Sequence, residues 1–266
     1  MDLKKLYIAL GIWLKRPVTG PLEVAIDISS YCNYGCITCW NYSPLNKEPF
    51  KVDPDKRFIR VTEYKRLVDE LKKLSVKRVT LGGDGEPFYH PDVIEMIEYA
   101  KSRGLSTSIA THGATLSETK IKRIVDSGLD YLGISLHAAT PETYLRMYPK
   151  QNTETFLKVC TNLKLLARYK STGGTRLGLT FVVCHENYKD IEPLFKLAED
   201  TGVDEVMLKR FDSCKETRKL LLTGQDKDEL QEILEGVESL TKGKAISRSI
   251  ASFKNYLKGD VHEGRY

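Results

Sequence analysis

Six short apolar runs punctuate the chain, and between them the spacing of apolar residues changes. The runs are Leu22–Ile28, Arg78–Leu81, Leu105–Ala110, Tyr131–Leu136, Leu177–Val183 and Val203–Leu208. Each has the length of a buried β-strand. The intervening segments repeat apolar residues at three- and four-residue steps, which predicts helices. One face carries Tyr64, Leu67, Val68, Leu71 and Leu74, and a second carries Val93, Ile94, Ile97 and Ala100. A third carries Phe156, Val159, Cys160, Leu163 and Leu166, and a fourth carries Ile191, Leu194, Phe195 and Ala198. Gly104, Gly128 and Gly202 stand where a helix must stop before the next strand. Thr140-Pro141 reads as an N-cap followed by proline at the first helical position. Gly173-Gly174 marks a loop before the fifth strand.

Regular alternation of strand and helix implies a parallel sheet with right-handed crossovers. Six units make an α/β fold, a partial (βα)6 TIM-like barrel. Functional groups then collect on the loops that follow the strands. The pattern divides the chain into a lead-in (1–20), a barrel core (21–211) and a short helical C-terminal extension (212–266), either naturally short or truncated. The extension holds an amphipathic set, Leu230, Ile233, Leu234, Val237 and Leu240, and ends in a polar stretch, Lys258–Tyr266.

At 266 residues, 41% hydrophobic and 29% charged, the chain can bury one full core. The net charge of +5 is spread along helix faces without a long basic tract, so no nucleic acid is indicated. The apolar run Leu6–Leu14 is followed by Lys15-Arg16-Pro17 rather than a small-residue cleavage site. It is too short to span a bilayer, so no transmembrane segment is expected. Its expected place is as an amphipathic lead-in packed on the barrel, with peripheral membrane contact the minority reading.

Six cysteines in a chain of this size do not suggest a disulfide framework. Three of them, Cys32, Cys36 and Cys39, read C-x3-C-x2-C directly after the first strand. A structural zinc site needs four ligands, and no second cysteine or histidine pair lies nearby. Three thiolates can hold three irons of a [4Fe–4S] cube and leave the fourth iron for another ligand, whereas electron-transfer clusters usually use four cysteines. After the second strand comes Gly82-Gly83-Asp84-Gly85-Glu86-Pro87, where glycines allow close backbone approach to a ligand.

This cysteine spacing resembles that of the radical S-adenosylmethionine (SAM) superfamily, and the resemblance spans most of the chain. It implies a [4Fe–4S] cluster held by Cys32, Cys36 and Cys39, with SAM on the open iron. It also implies one-electron cleavage of SAM to a 5′-deoxyadenosyl radical that removes hydrogen from a substrate. The glycine-rich turn resembles the family's GGE-type motif, which assigns SAM contacts to Gly82, Gly83 and Glu86. By the same resemblance Thr111, Ser135, Arg146 and Asn187 join the cofactor-binding set. Departures from the family pattern are Thr38 before the third cysteine, and His112 and His137 where relatives carry asparagine and aspartate. Trp40 is then the aromatic residue left to shield the cluster, and His112, a lone loop histidine, is expected to be solvated.

Cys214, after the sixth strand, is the candidate for hydrogen donation, substrate binding or auxiliary ligation. Cys184 and Cys160 read as buried core residues. A labile cluster implies a reducing compartment, the cytoplasm, and a low-potential donor such as ferredoxin or flavodoxin. The core resembles SPASM- and twitch-type members, which implies a peptide or protein substrate; a sugar or other small-molecule substrate is the alternative. A non-catalytic iron–sulfur protein, for electron transfer or scaffolding, is a further alternative.

Overall fold

The computed structural model describes residues 3–48, 50–241 and 248–257. The polar stretch Lys258–Tyr266 lies outside the described residues. The strands are β1 (Glu23–Asp27), β2 (Arg78–Gly82), β3 (Ser106–Thr111), β4 (Tyr131–Ser135), β5 (Arg176–Val183) and β6 (Glu205–Arg210). They form one sheet in the order β1-β2-β3-β4-β5-β6, every pair parallel. The expected open (βα)6 architecture is what the chain adopts, with each strand within about two residues of its apolar run.

The helices are α1 (Leu3–Trp13), α2 (Val61–Lys73), α3 (Val93–Ser102), α4 (Glu118–Asp126), α5 (Pro141–Met147), α6 (Thr153–Gly173), α7 (Ile191–Thr201), α8 (Gly224–Leu240) and α9 (Arg248–Leu257). Thr140 caps α5 as expected, its side chain accepting from the Thr143 amide. Gly104, Gly128 and Gly202 take the left-handed conformation, with φ of +71°, +77° and +75°. Gly173 is different from its expectation. It still belongs to α6, and Gly174 alone, at φ +73°, ends that helix. Leu67 and Leu74, grouped with the apolar face of α2, are exposed, because that helix packs through Tyr64, Val68 and Leu71.

Alternation along the strands separates two faces. Ile26, Val79, Leu81, Ile109, Leu132, Ile134, Leu179 and Phe181 point outward and form the core under the helices. The other face, concave, carries small and polar residues: Thr80, Ser108, Gly133, Thr180 and Lys209 among them. It is therefore a wall facing a space, not the packed interior of a closed eight-stranded barrel. Tyr131 lies across its lower end. A Cβ on Gly178 would stand 2.1 Å from the Tyr131 hydroxyl, and one on Gly133 would stand 3.2 Å from its ring. Glycine at both positions gives the ring its place.

The extension closes the β6 edge. An edge strand leaves backbone groups unpaired. The Leu208 amide donates to Ser249 Oγ at 3.2 Å, and that hydroxyl donates to the Val206 carbonyl at 2.7 Å, so α9 satisfies part of this edge.

At the other edge, α1 corrects an expectation. Its apolar stripe does not pack on the barrel: Leu3, Leu6, Tyr7, Leu10, Trp13 and Leu14 are all exposed. The contact face is instead Lys4 and Gly11, both buried. The Lys4 ammonium donates to the Leu74 and Ser75 carbonyls at the end of α2. The last carbonyls of a helix lack intrahelical partners and carry the negative end of its dipole, so a lysine is drawn there.

Candidate active site

The site sits at the C-terminal ends of the strands. The loop after β1 carries the three cysteines, and two neighbours clamp it. On one side is the glycine-rich turn after β2. The Gly85 amide donates to the Ser29 carbonyl at 2.9 Å, and the Glu86 amide donates to the Tyr31 carbonyl at 2.7 Å. A Cβ on Gly85 would meet Tyr31 O at 2.4 Å and Tyr31 N at 2.5 Å, so only glycine allows this approach. Gly83, at φ +136°, adopts a backbone reserved for glycine. On the other side, the Ile37 amide donates to the Met147 carbonyl at the end of α5 at 3.0 Å. The turn itself closes through the Cys39 amide and Cys36 carbonyl at 3.0 Å.

All six cysteines are free thiols, and Cys32, Cys36 and Cys39 are half-buried. Burial pushes the Cys32 thiol up to about 11, with Glu86 and Cys39 nearby adding to the rise. Cys36 is held well above its ordinary value too, by burial and by Cys39 and Cys32 beside it. The Tyr42 amide donates to Cys39 Sγ at 3.2 Å. The donor set fits an iron–sulfur cluster: three thiols share one neighbourhood, with amide donors at sulfur. Among the described residues no three His, Cys, Asp or Glu side chains converge on one point. A cluster asks for one thiolate per iron rather than several on one ion. Metal binding would draw the protons off these raised thiols.

Behind the loop lies a buried polar hub that the sequence did not make legible. Glu86 is only 2% exposed. Its Oε1 accepts from Thr111 Oγ1 at 2.6 Å and from the Phe88 amide at 3.1 Å, and its Oε2 accepts from the His112 amide at 3.0 Å. The His112 ring is buried, not solvated as expected. It stacks on Tyr34 of the cysteine loop, with centroids 3.8 Å apart and planes 13° apart. Burial lowers its pKa, so it is neutral. Its Nδ1 accepts from the Ala114 amide at 3.1 Å, which places the proton on Nε2, 3.4 Å from Glu86 Oε2. Tyr34 in turn shares a 2.5 Å hydroxyl–hydroxyl hydrogen bond with buried Tyr144.

The remaining candidates fall into two groups. Asn187 is buried and fully engaged: Oδ1 accepts from the Cys184 amide at 2.8 Å, and Nδ2 donates to the His137 and Val182 carbonyls at 3.0 and 2.9 Å. Like Glu86 and Thr111, it shapes loops. Gly82 and Ser135 stand instead at the upper rim of the concave wall. A Cβ on Gly82 would touch nothing within 4 Å. Ser135 is half-buried, its carbonyl accepting from the Tyr148 hydroxyl at 3.3 Å.

Arg146 is half-exposed and sits 3.8 Å from Glu186, with a 2.9 Å hydrogen bond to Thr143 Oγ1. Cys214 is half-buried, with Sγ 3.2 Å from Thr217 Oγ1. Cys184 is fully buried as expected, and burial raises its thiol to about 12. Cys160 departs from its expectation, being half-buried at the margin of the core. Trp40 departs more sharply. It is 70% exposed, while within the cysteine loop it is Tyr34 that makes an aromatic contact, stacked on His112.

Sequence reasoning also missed the wall itself. A cleft of about 430 Å³ runs along it, lined by Thr80, Ser108, Tyr131, Thr180, Met207 and Lys209. Lys209 is exposed and makes no ion pair among the described residues. It lies near enough to His137 to oppose a charge there. Burial, with Lys209 adding to it, holds the His137 ring down to about 4. The available signal was the alternation in Glu205–Arg210, which puts residues 205, 207 and 209 on one face.

The sequence pattern of the Radical SAM superfamily matches residues 26–198, from β1 into α7. A tungsten-containing aldehyde ferredoxin oxidoreductase cofactor-modifying protein of Pyrococcus furiosus is 26% identical over 192 residues, which are 69% of this chain and 49% of that protein. The PqqA peptide cyclase of Gluconobacter oxydans is 25% identical over 248 residues, which are 92% of this chain and 63% of the cyclase. The chain thus spans about half to two-thirds of the length of these relatives. The crystal structure of Streptococcus suis SuiB bound to its precursor peptide SuiA superposes with a TM-score of 0.64 at 17% identity, covering 89% of this chain and 50% of SuiB. SuiB bound to S-adenosylmethionine gives a TM-score of 0.63 at 16% identity, with 90% of this chain and 49% of SuiB covered.

Proposed function

This chain belongs to the Radical SAM superfamily, and from that premise we propose that it cleaves SAM reductively and uses the product to abstract hydrogen from a peptide substrate. The observation that carries the reading is the three-cysteine loop, clamped at the mouth of an open, polar-walled sheet. Cys32, Cys36 and Cys39 would hold the [4Fe–4S] cluster. When bound, cluster and SAM together supply a one-electron cleavage that yields a hydrogen-abstracting 5′-deoxyadenosyl radical.

The chain's own residues then have distinct tasks. Gly82, without a side chain at the rim, leaves room for SAM, and Ser135 presents a hydroxyl beside it. Gly83 sets the turn between them and the cysteine loop. Glu86, Thr111 and Asn187 hold the surrounding loops in place rather than contacting the cofactor directly. Arg146, tied to Glu186, lies at the outer margin, where a SAM carboxylate would have to displace Glu186. Holding both reactants in fixed orientation, out of bulk water, is the protein's main contribution to such chemistry.

A peptide substrate is supported by the kind of relatives found, a peptide cyclase and a fold neighbour bound to its precursor peptide. Lys209 on the wall would anchor a substrate carboxylate. Cys214 stands on the loop after β6, where it could return a hydrogen atom or bind substrate. A ferredoxin or flavodoxin would supply the electron, and the cytoplasm is the compartment that suits a thiolate-held cluster.

The test is isotope transfer. Reconstituted protein, SAM and dithionite are incubated with a perdeuterated peptide library, and deuterium in 5′-deoxyadenosine is read by mass spectrometry. Transfer from peptide supports the reading. Unlabelled 5′-deoxyadenosine with every peptide, and deuterium uptake only from a labelled sugar or other metabolite, would move the substrate class away from peptides.

A further inference from the structure

We propose that α1 is a membrane-docking element that seats the chain on an anionic lipid surface. The helix is apolar on most sides, with Ile12 74% exposed as well, and its main stripe faces the reverse way from that of a normal surface helix. Leu3, Leu6, Tyr7, Leu10, Trp13 and Leu14 follow helical spacing and form one continuous stripe. Every one of them is exposed, Trp13 at 79% and Leu3 at 64%. The side turned to the protein is narrow and carries buried Lys4 and Gly11. Gly11 permits a tight return of the chain, because a Cβ there would meet the Arg16 carbonyl at 3.0 Å. The body of the protein thus holds the helix by a lysine and a glycine and presents its apolar face outward.

Charge identifies the partner. From Asp2 to Leu22 the sequence has four basic residues, Lys4, Lys5, Lys15 and Arg16, and one acidic residue, Asp2; of the four, Lys4 is turned to the protein and bound to the α2 carbonyls. Lys15 and Arg16 are exposed at the end of the stripe, and exposed Lys77 lies beside the Leu74–Ser75 turn on which α1 rests. An apolar stripe carrying Trp and Tyr and edged by cations matches the interface of an anionic bilayer, where aromatic rings sit at headgroup depth. Among the described residues no helix is long and apolar enough to cross a membrane, so the element lies on the surface. Its position fits as well. α1 packs at the end of the sheet where the strands begin, through Leu74, Ser75 and Gly20. The cysteine loop is at the opposite end and would stay open to water.

The experiment is co-sedimentation of the full chain with large vesicles of pure phosphatidylcholine or of phosphatidylcholine with phosphatidylserine. Binding at least tenfold tighter to the anionic vesicles is expected, weakening with added salt. Leu6→Glu with Trp13→Glu should abolish it, and Lys15→Glu with Arg16→Glu should remove the preference for anionic lipid. Both pairs are exposed, and circular dichroism confirms that the variants fold. A second readout is Trp13 fluorescence in a Trp40→Phe background, which should shift to the blue on anionic vesicles. No binding to either vesicle would overturn the proposal. So would a concentration-dependent dimer that Leu6→Glu with Trp13→Glu dissociates, since the stripe would then cover a second copy. Neither outcome depends on SAM cleavage.

Discussion

Two regions of the sheet's active end are built on opposite principles. The shell made by the loops after β1, β2 and β3 is buried and densely hydrogen-bonded, with His112 Nε2 left without a hydrogen-bond partner among the described residues. Glu86 accepts three hydrogen bonds there, and Gly85 lets two backbones touch. The concave wall is polar and half-open: Thr80 hydrogen-bonds to Glu23 and Ser108 at 2.7 and 2.6 Å, while Lys209 is exposed and makes no ion pair among the described residues. The contrast teaches a division of labour: the shell fixes the shape of the cysteine loop, and the wall leaves Lys209 open to what binds against it.

The largest effect should come from the shell's thiols. Cys36→Ala should lose the iron and bring SAM cleavage to background, measured by iron analysis and 5′-deoxyadenosine yield. Cys184→Ala, a core change, should keep both. Next is a comparison of two glycines. Gly85→Ala should destabilise the fold by about 3 kcal/mol in urea unfolding, because a backbone must move. Gly82→Ala should leave stability unchanged and weaken SAM binding. Equal effects of the two would erase the distinction between shell and rim.

A pH prediction concerns His137. Its ring titrates ordinarily at 6.5 and in the fold at about 4. Between those values the unfolded chain binds the proton and the folded chain does not, so stability falls as pH drops from 6.5 toward 4 and levels off below. The loss is at most about 3 kcal/mol. His137→Gln should flatten that part of the pH–stability curve. The smallest effect is expected at the wall. Lys209→Met should raise the substrate KM about tenfold, the value of about 1.4 kcal/mol, and leave substrate-free SAM cleavage unchanged.

The strands were legible because their outward faces are mostly Ile, Leu, Val and Phe, with Thr107 and Thr111 of β3 the polar exceptions. The cysteine loop was legible because metal chemistry constrains spacing. The hub was not, because Glu86 lies on the turn after β2 while Thr111 and His112 lie at the end of β3 and just after it, and they meet only when β2 and β3 pair. His112 and Trp40 were misjudged together. Exposure of an aromatic ring depends on what stacks against it: Tyr34 covers His112, and Trp40 stays exposed. The outward stripe of α1 escaped for a related reason: an amphipathic pattern shows that a face exists, not which way it turns.

The central claim is that a three-thiol shell holds a cluster with a position open to SAM. The most direct test is the EPR spectrum of the anaerobically reconstituted, dithionite-reduced protein, recorded without and with SAM. A reduced-cluster signal that changes on SAM addition, with 5′-deoxyadenosine formed and both lost in Cys36→Ala, is the predicted result. A cluster signal that SAM leaves unchanged, with no 5′-deoxyadenosine, would contradict the account and assign the chain to non-catalytic iron–sulfur chemistry.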